Sequence, residues 1–136
     1  REIVARWDAG FNSHHLERLD LQPLEDAAAI SHCRHEVRNM RMEPGVQKYI
    51  FDIVRRTRSH PTILYGASPR ASIALLLCSK ALAAIRGRDF PTPDDVRDIA
   101  RPVLRHRLAL RAEAELEGAT TDAVISDILK TIEVPR

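Results

Sequence analysis

Residues 66–87 read GASPRASIALLLCSKALAAIRG, and this stretch decides the fold. Ser68 is suited to cap a helix, and Pro69 to the first helical position, where the missing N–H would have no intrahelical partner. Gly87 is suited to end the helix. Between these signals apolar residues occur on nearly every side. We therefore predict a central helix over 69–85 that is covered by the other elements.

Arg70 falls in the first turn of this predicted helix. A cation there opposes the helix dipole, at a cost of roughly 0.3–1 kcal/mol. Helix N-termini bind phosphates through free N–H groups, and a guanidinium adds a planar fork that matches phosphate oxygens. The pattern therefore indicates a phosphate-contacting arginine. The same residues also fit a surface arginine that pairs with an acidic neighbour, and both interpretations stay open at this point.

Apolar residues elsewhere recur at steps of three and four, which is the period of a helix packed on one face. Only a brief extended piece at Met40 to Met42 departs from it, and the sequence holds no long strand signal. We therefore predict an all-α fold, a compact bundle of about five to six helices. Five further helices are predicted. The first spans 1–11 and is ended by Gly10, and the second spans 24–37. The third carries the apolar stripe Val46, Tyr49, Ile50, Ile53, Val54 and Thr57, the fourth begins at Thr92, and the last has an inward face of Val124, Ile125, Ile128, Leu129 and Ile132. The predicted connections are 12–23 and 61–66.

The stretch Thr92-Pro93-Asp94-Asp95 is a second helix-start signal. The threonine is placed to cap, the proline takes the first helical position, and the two carboxylates complement the dipole, with Asp95 near the capping-box position. Pro102 lies inside the helix that follows and removes one backbone donor. We therefore predict a kink or a break after Ala100.

The composition fits one domain with a core of its own. The chain has 136 residues, a net charge of +2 and two cysteines. Cys33 and Cys78 are too few for a disulfide framework and lie in helical patterns, so we predict buried thiols in a reducing compartment. Neither a leader nor a membrane-length apolar stretch occurs, which predicts a cytoplasmic protein. Because the chain starts at Arg1 in a helical pattern, without methionine, we expect residues 1–136 to be a single domain excised from a longer protein.

Common catalytic and metal-binding patterns are missing from the sequence. No Gly-x-x-x-x-Gly-Lys-Ser/Thr loop occurs, so the chain by itself cannot hold a triphosphate with magnesium. The histidines at 14 and 15, and those at 32 and 35 around Cys33, have no second pair at zinc-finger spacing, so we predict no metal site. Cys78 and His106 could form a catalytic pair, but the apolar helix around Cys78 favours an inert core thiol.

Arginine side chains form two further patterns. Arg97, Arg101 and Arg105 repeat at steps of four, which suits a DNA-binding helix or a docking surface. Arg105-His106-Arg107 is a dense cluster that we interpret as a helix C-terminus facing water or a partner. With only six aromatic residues the chain offers no stacking platform for single strands. A free-standing helical interaction or DNA-binding module is therefore the alternative function.

Several motifs together resemble the C-terminal helical lid of MoxR-family AAA+ ATPases. The order and spacing match from about the first helix to the end of the chain, and the Gly-Ala-Ser-Pro-Arg-Ala and Leu-Arg-His-Arg elements are the most specific. The motifs are Tyr49-Ile50 with Arg55 and Thr57-Arg58; Gly66-Ala67-Ser68-Pro69-Arg70-Ala71; Gly87-Arg88-Asp89-Phe90 with Pro93-Asp94-Asp95-Val96; and Val103-Leu104-Arg105-His106-Arg107.

The resemblance implies that Arg70 is the catalytic sensor-two arginine, which reaches the γ-phosphate of ATP in the same or a neighbouring subunit. Ser68, Pro69 and Arg70 would then form the cofactor-binding end of the lid. ATP and Mg²⁺ would be held by a phosphate-loop core that precedes Arg1, so the parent protein would hydrolyse ATP and residues 1–136 alone would not. Sensor arginines couple lid angle to nucleotide state.

The family also implies partners. They are the protein's own AAA+ core, neighbouring subunits of a homo-oligomeric ring that is usually hexameric, and proteins with a von Willebrand factor A domain. The implied role is that of a chaperone-like motor, and neither nucleic acid nor a membrane is expected as a partner. The client, the subunit number and the subunit on which Arg70 acts are not visible in the sequence.

Overall fold

The computed structural model describes residues 2–11 and 27–135. The chain divides into two compact units, residues 1–33 and 34–136. The predicted connection 12–23 lies outside the described residues. The elements are α1 (Glu2–Asp8), α2 (Ala27–Asn39), α3 (Pro44–Ser59), β1 (Ile63–Tyr65), α4 (Pro69–Ile85), α5 (Pro93–Leu104), β2 (Ala109–Leu110), α6 (Ala112–Leu116) and α7 (Thr121–Thr131). Because helices dominate the described residues, the prediction of an all-α fold is confirmed.

The first two helices carry apolar side chains that the described residues do not cover. Trp7 of α1 is exposed, and the helix ends before Gly10, whose φ of 91° no other residue type adopts readily. None of the residues of α2 is buried. Cys33 is exposed, so the prediction of a buried thiol there is wrong. The end of α2 is attached to α4, because Lys80 Nζ donates a hydrogen bond to the Arg38 carbonyl oxygen at 2.9 Å.

Helix α3 forms one wall of the core. It contacts α4, α5, α7 and β1. All six positions of the predicted stripe are buried, which confirms it: Val46, Tyr49, Ile50, Ile53, Val54 and Thr57.

Helix α4 begins and ends at the predicted residues, but it is not covered on all sides. Its buried face is a row of mostly small side chains at steps of four, which lets α3 and α5 approach closely: Ala71, Leu75, Ser79 and Ala83. Ile73 is 59% exposed, and Cys78 is exposed as well. The predictions of a helix covered all round and of a buried Cys78 thiol are therefore wrong. Most of the packing lies on the side of α4 that carries this row, with Lys80 buried beside the end of α2. A uniformly apolar helix does not reveal which side is covered.

The loop predicted over 61–66 contains the strand β1, so this prediction is wrong for residues 63–65. β1 pairs antiparallel with β2, with Ile63 opposite Leu110. Arg111 extends the attachment, because its N–H donates to the Thr62 carbonyl and its Nε to the Pro61 carbonyl, both at 2.9 Å. Strands this short carry no readable alternation in sequence.

Helix α5 starts at the predicted cap and runs unbroken through Pro102 to Leu104, so the predicted break after Ala100 is wrong. Pro102 lies in the last turn, where only one hydrogen bond of the helix depends on the missing N–H. Gly118, with a φ of 85°, precedes α7, whose N-cap Thr120 accepts a hydrogen bond from the Ala123 N–H. The predicted inward face of α7 is buried at Val124, Ile125, Ile128 and Leu129.

Candidate functional site at the start of helix α4

Ser68 and Pro69 open α4 in the predicted positions. Ser68 is the N-cap, with extended backbone angles, and Pro69 occupies the first turn. The Ser68 hydroxyl makes no capping hydrogen bond. The Ala71 N–H donates to the Ser68 carbonyl oxygen at 2.9 Å. Within the described part of the chain the Arg70 N–H has no acceptor, so the end of the helix keeps a free donor beside its positive dipole.

The side chain of Arg70 is exposed. Among the described residues it forms neither a hydrogen bond nor an ion pair. The interpretation of Arg70 as half of a surface ion pair therefore finds no acidic partner in residues 2–11 and 27–135. A free guanidinium beside a free helix N-terminus is an arrangement that can bind phosphate oxygens.

The loop that leads into α4 is pressed against the end of α3. A Cβ atom on Gly66 would lie 2.7 Å from the Arg58 Cα and 2.8 Å from the Arg58 backbone nitrogen. Only glycine fits at this distance, because both neighbouring atoms belong to the backbone and cannot turn aside. The glycine of the motif therefore serves close packing between α3 and the loop.

Two side chains of α3 hold the Ala67 backbone from both sides. The Ala67 N–H donates to Thr57 Oγ1 at 2.9 Å, and Arg58 Nε donates to the Ala67 carbonyl oxygen at 2.9 Å. Thr57 is fully buried and donates its own hydroxyl proton to the Val54 carbonyl oxygen at 2.6 Å. The sequence places Thr57 in the apolar stripe and in a family motif but does not predict its contact with the loop. A hydroxyl in an otherwise apolar stripe was the available signal for this contact.

A buried carboxylate lies between the end of α4 and the start of α5. Gly87, with a φ of 70°, ends α4 as predicted. Asp95 Oδ1 accepts from Arg86 Nη1 at 2.8 Å, and Asp95 also accepts the Thr92 N–H at 2.8 Å. Burial opposes ionisation of Asp95, but the hydrogen bonds from Arg88 and Thr92 outweigh it and hold its pKa well below the usual range. This cluster orients α5 on α4. The capping rules predict its Thr92–Asp95 contact but not the contacts of Asp95 with Arg86 and Arg88.

The Arg105-His106-Arg107 cluster follows the last turn of α5. Arg105 Nη2 lies 3.0 Å from Asp122 Oδ2 of α7, and an Arg107 Nη1 hydrogen bond reaches the Val103 carbonyl oxygen. Arg101 donates to Ser126 Oγ of α7, at 2.8 Å from Nη2. Two arginines of the four-residue repeat therefore connect α5 to α7 within the fold.

The described residues offer neither a metal-binding cluster nor a helix that could span a membrane. Residues 2–11 and 27–135 contain no group of three or more His, Cys, Asp or Glu side chains that could hold a metal ion. The residues at 14 and 15 lie outside these ranges. Of the helices in the described ranges, none has the length and apolar character needed to cross a membrane.

The sequence matches the family described as the AAA lid domain over residues 55–128. It is 39% identical to the chaperone MoxR1 of Mycobacterium tuberculosis over 74 residues, which are 54% of this chain and 20% of that protein. It is 37% identical to the uncharacterized protein YeaC of Bacillus subtilis over 123 residues, which are 90% of this chain and 38% of YeaC.

A solved structure has the same fold. The crystal structure of a "putative ATPase" from Cytophaga hutchinsonii aligns with a TM-score of 0.83 and 28% identity, over 99% of this chain and 43% of that one. The chain therefore spans less than half the length of each of these relatives. The motif around Arg70 and helix α4, which carries it, lie inside the matched range, and this chain belongs to the AAA lid domain family.

Proposed function

We propose that this chain is the lid of a longer AAA+ protein that hydrolyses ATP, and that Arg70 acts as its sensor-two arginine. The observation that carries the proposal is the exposed Arg70 guanidinium, without a partner among the described residues, at the N-terminus of α4. In this role the guanidinium donates hydrogen bonds to the γ-phosphate and stabilises charge that develops during phosphoryl transfer. A phosphate-loop core outside this chain would hold ATP and Mg²⁺.

The electrostatics at the N-terminus of α4 support the proposal. The Arg70 N–H and the Ser68 hydroxyl are both without a capping contact, and the helix dipole adds partial positive charge beside the guanidinium. An anion at this position would satisfy the free donor and relieve the opposition between Arg70 and the dipole. Ser68, Pro69 and Arg70 together are the end of the lid that we assign to the nucleotide.

The exposed face of α4 supports docking on a core. Ile73 is 59% exposed and Leu77 is 39% exposed, at three and seven residues beyond Arg70 and hence on the same side of the helix. An apolar face of this kind marks a contact surface. The relatives are more than twice as long as this chain, so they contain further domains that could cover such a face. We assign the face to the chain's own AAA+ core or to the core of a neighbouring subunit.

The wider role that we propose is the one that the family resemblance suggests. A homo-oligomeric ring, hexameric in the usual case, would use nucleotide-dependent lid angles to move its subunits, in the cytoplasm and in a chaperone-like role. Proteins with a von Willebrand factor A domain are the partner class that the family suggests.

A DNA-binding module is the weaker alternative. It would need Arg97, Arg101 and Arg105 free on one helix face. Arg101 and Arg105 instead contact Ser126 and Asp122. No described contact therefore favours nucleic acid as the partner.

The test uses the protein that joins this chain to its phosphate-loop core. Arg70→Ala should lower ATP turnover by roughly 100-fold, because one donor to the developing charge is lost. Arg97→Ala is the matched control, since Arg97 is an exposed arginine on α5, which starts near the opposite end of α4. Its turnover should stay within about twofold of wild type. Unchanged turnover in Arg70→Ala, with the protein folded, would refute the proposal.

Mixing experiments identify the subunit on which Arg70 acts. Rings that combine Arg70→Ala subunits with subunits lacking a functional phosphate loop regain activity only if the arginine acts on a neighbouring subunit. If the arginine acts on its own core, no mixture exceeds the residual activity of rings made from either variant alone.

A further inference from the structure

The loop before α4 connects a buried hydroxyl on α3 to the exposed arginine of the site. Ala67 is completely buried, and its two backbone polar groups are held by Thr57 Oγ1 and Arg58 Nε. Arg70 follows three residues later, in the first turn of the helix that this loop starts. We propose that Thr57 and Arg58 are positioning residues, which fix the start of α4 and thereby the place of the Arg70 guanidinium. This inference rests on the function proposed above for Arg70.

The direction of the Thr57 hydroxyl is fixed. Its proton is committed to the Val54 carbonyl oxygen at 2.6 Å, so a lone pair is left for the Ala67 N–H at 2.9 Å. An aliphatic side chain would fill the same buried position of α3 but could not accept this hydrogen bond. The presence of a hydroxyl at position 57 is therefore explained by its hydrogen bond with the Ala67 N–H of the loop and not by the packing of α3.

Arg58 fixes the loop from the other side. Its Nε donates to the Ala67 carbonyl at 2.9 Å, while Gly66 lies so near the Arg58 backbone that even a methyl group would not fit. With the Ala67 peptide groups held at both ends and Gly66 in contact with α3, the loop has little room to shift. Ala71, in the first turn of α4, is also completely buried, which fixes the other side of Arg70.

Positioning of this kind affects turnover more than binding. A displacement of about 1 Å at a group that contacts the reacting phosphate can cost roughly 100-fold in rate. Ground-state binding of ATP depends mainly on the core, so KM should change little. The expected signature is a fall in kcat that exists only while Arg70 is present.

The experiment is a double-mutant cycle on ATP turnover in the protein with its core. Thr57→Val keeps the shape of the side chain and removes the hydroxyl, and Thr57→Ser keeps the hydroxyl. Arg58→Met keeps an unbranched side chain of similar reach but has no N–H donor, and Arg58 is exposed, so this variant provides a second test that leaves the buried packing intact. Each change is made in the wild-type background and in the Arg70→Ala background.

Thr131→Val is the matched control. The Thr131 hydroxyl donates to the Ile128 carbonyl oxygen at 2.9 Å, three residues back as in Thr57, but it lies at the end of α7 and holds no loop. Thr131→Val should leave kcat within about twofold of wild type. A lower melting temperature alone, without a change in kcat, would show that the method separates stability from turnover.

We expect Thr57→Val and Arg58→Met each to lower kcat about tenfold with KM nearly unchanged, and Thr57→Ser to stay near wild type. In the Arg70→Ala background either change should add less than about twofold. Equal losses in both backgrounds, or an unchanged kcat in both single variants, would overturn the inference while the role of Arg70 stands. Full turnover in Arg70→Ala would instead refute the proposed function itself, and with it this inference.

Discussion

Asp95 Oδ1 lies 2.5 Å from Arg88 Nη2 although the Asp95 side chain is completely buried. The second guanidinium, of Arg86, joins Asp95 to the half-exposed Asp98, with Nη2 at 2.7 Å from Asp98 Oδ2. Arg86 and Arg88 follow the last residue of α4, and both aspartates belong to α5. The junction between the two helices therefore depends on a carboxylate that is never in contact with water.

Asp95→Asn should destabilise the fold by roughly 3 kcal/mol, because two guanidinium groups would lose the charge that they surround. Asp98→Asn is the control, since Asp98 bonds the same Arg86 but is half exposed, and it should cost less than about 1 kcal/mol. Denaturant midpoints of the two variants measure both values. Equal losses for Asp95→Asn and Asp98→Asn would contradict the importance of the buried site.

Low pH should reduce the free energy of unfolding because it protonates Asp95. The pKa of Asp95 is held below its usual value of 3.8, so the folded protein binds fewer protons at this site than the unfolded chain. The contribution of ionised Asp95 to the free energy of unfolding is therefore complete above the pKa of the unfolded chain. It is lost as the pH falls below about 4 toward the lower pKa of the folded protein. Unfolding measured from pH 6 to pH 2 should show this loss in wild type. A slope of equal size in Asp95→Asn would assign the acid sensitivity to other groups.

Leu75 and Leu76 distinguish the two faces of α4. Leu75 is fully buried, while Leu76 is only partly buried against the core. Leu75→Ala should cost roughly 2–5 kcal/mol, because it leaves a cavity between α4 and the helices packed on it. Leu76→Ala should cost less, since part of its surface already faces water. Denaturant unfolding of both variants checks the order, and the reverse order would place the core on the other face.

The two leucines show how far the sequence predicts this fold. The α3 stripe was predictable because apolar and polar faces alternate with the helical period, and every position of it is buried. Helix α4 has no such contrast, so its sequence does not distinguish the buried Leu75 from the partly buried Leu76 or from Ile73, which is largely exposed. The exposed thiol of Cys78 has the same cause.

The candidate site was predictable in part for an equally local reason. Ser68, Pro69 and Arg70 are contiguous, and capping rules fix their places on the helix without knowledge of the rest of the fold. The hydrogen bonds that join Ala67 to Thr57 and Arg58 depend on how the chain turns through β1. The strand β1 in turn pairs with a strand more than forty residues away. Contacts across such a distance leave no periodic signal in the sequence.

The chain alone should bind ATP only very weakly and should not hydrolyse it. A free guanidinium and one helix end supply a few donors, but no phosphate loop is present in the sequence to hold the triphosphate and its magnesium. Calorimetric titration of residues 1–136 with magnesium ATP measures this directly. A dissociation constant in the micromolar range would mean that the chain holds a nucleotide site of its own.

Ile73→Asp should separate docking from folding. Because Ile73 is 59% exposed, a carboxylate there stays in water in the isolated chain, and the free energy of unfolding should change by no more than about 0.5 kcal/mol. In the protein with its core, the same carboxylate would be buried against the surface that we assign to α4, and turnover should fall about tenfold or more. Ile85→Asp is the control, because Ile85 is 84% exposed at the far end of α4 from Arg70. It should leave both quantities unchanged. If Ile73→Asp were as active as wild type, the apolar face beside Arg70 would have no part in contact with the core, and the lid would have to dock through another surface.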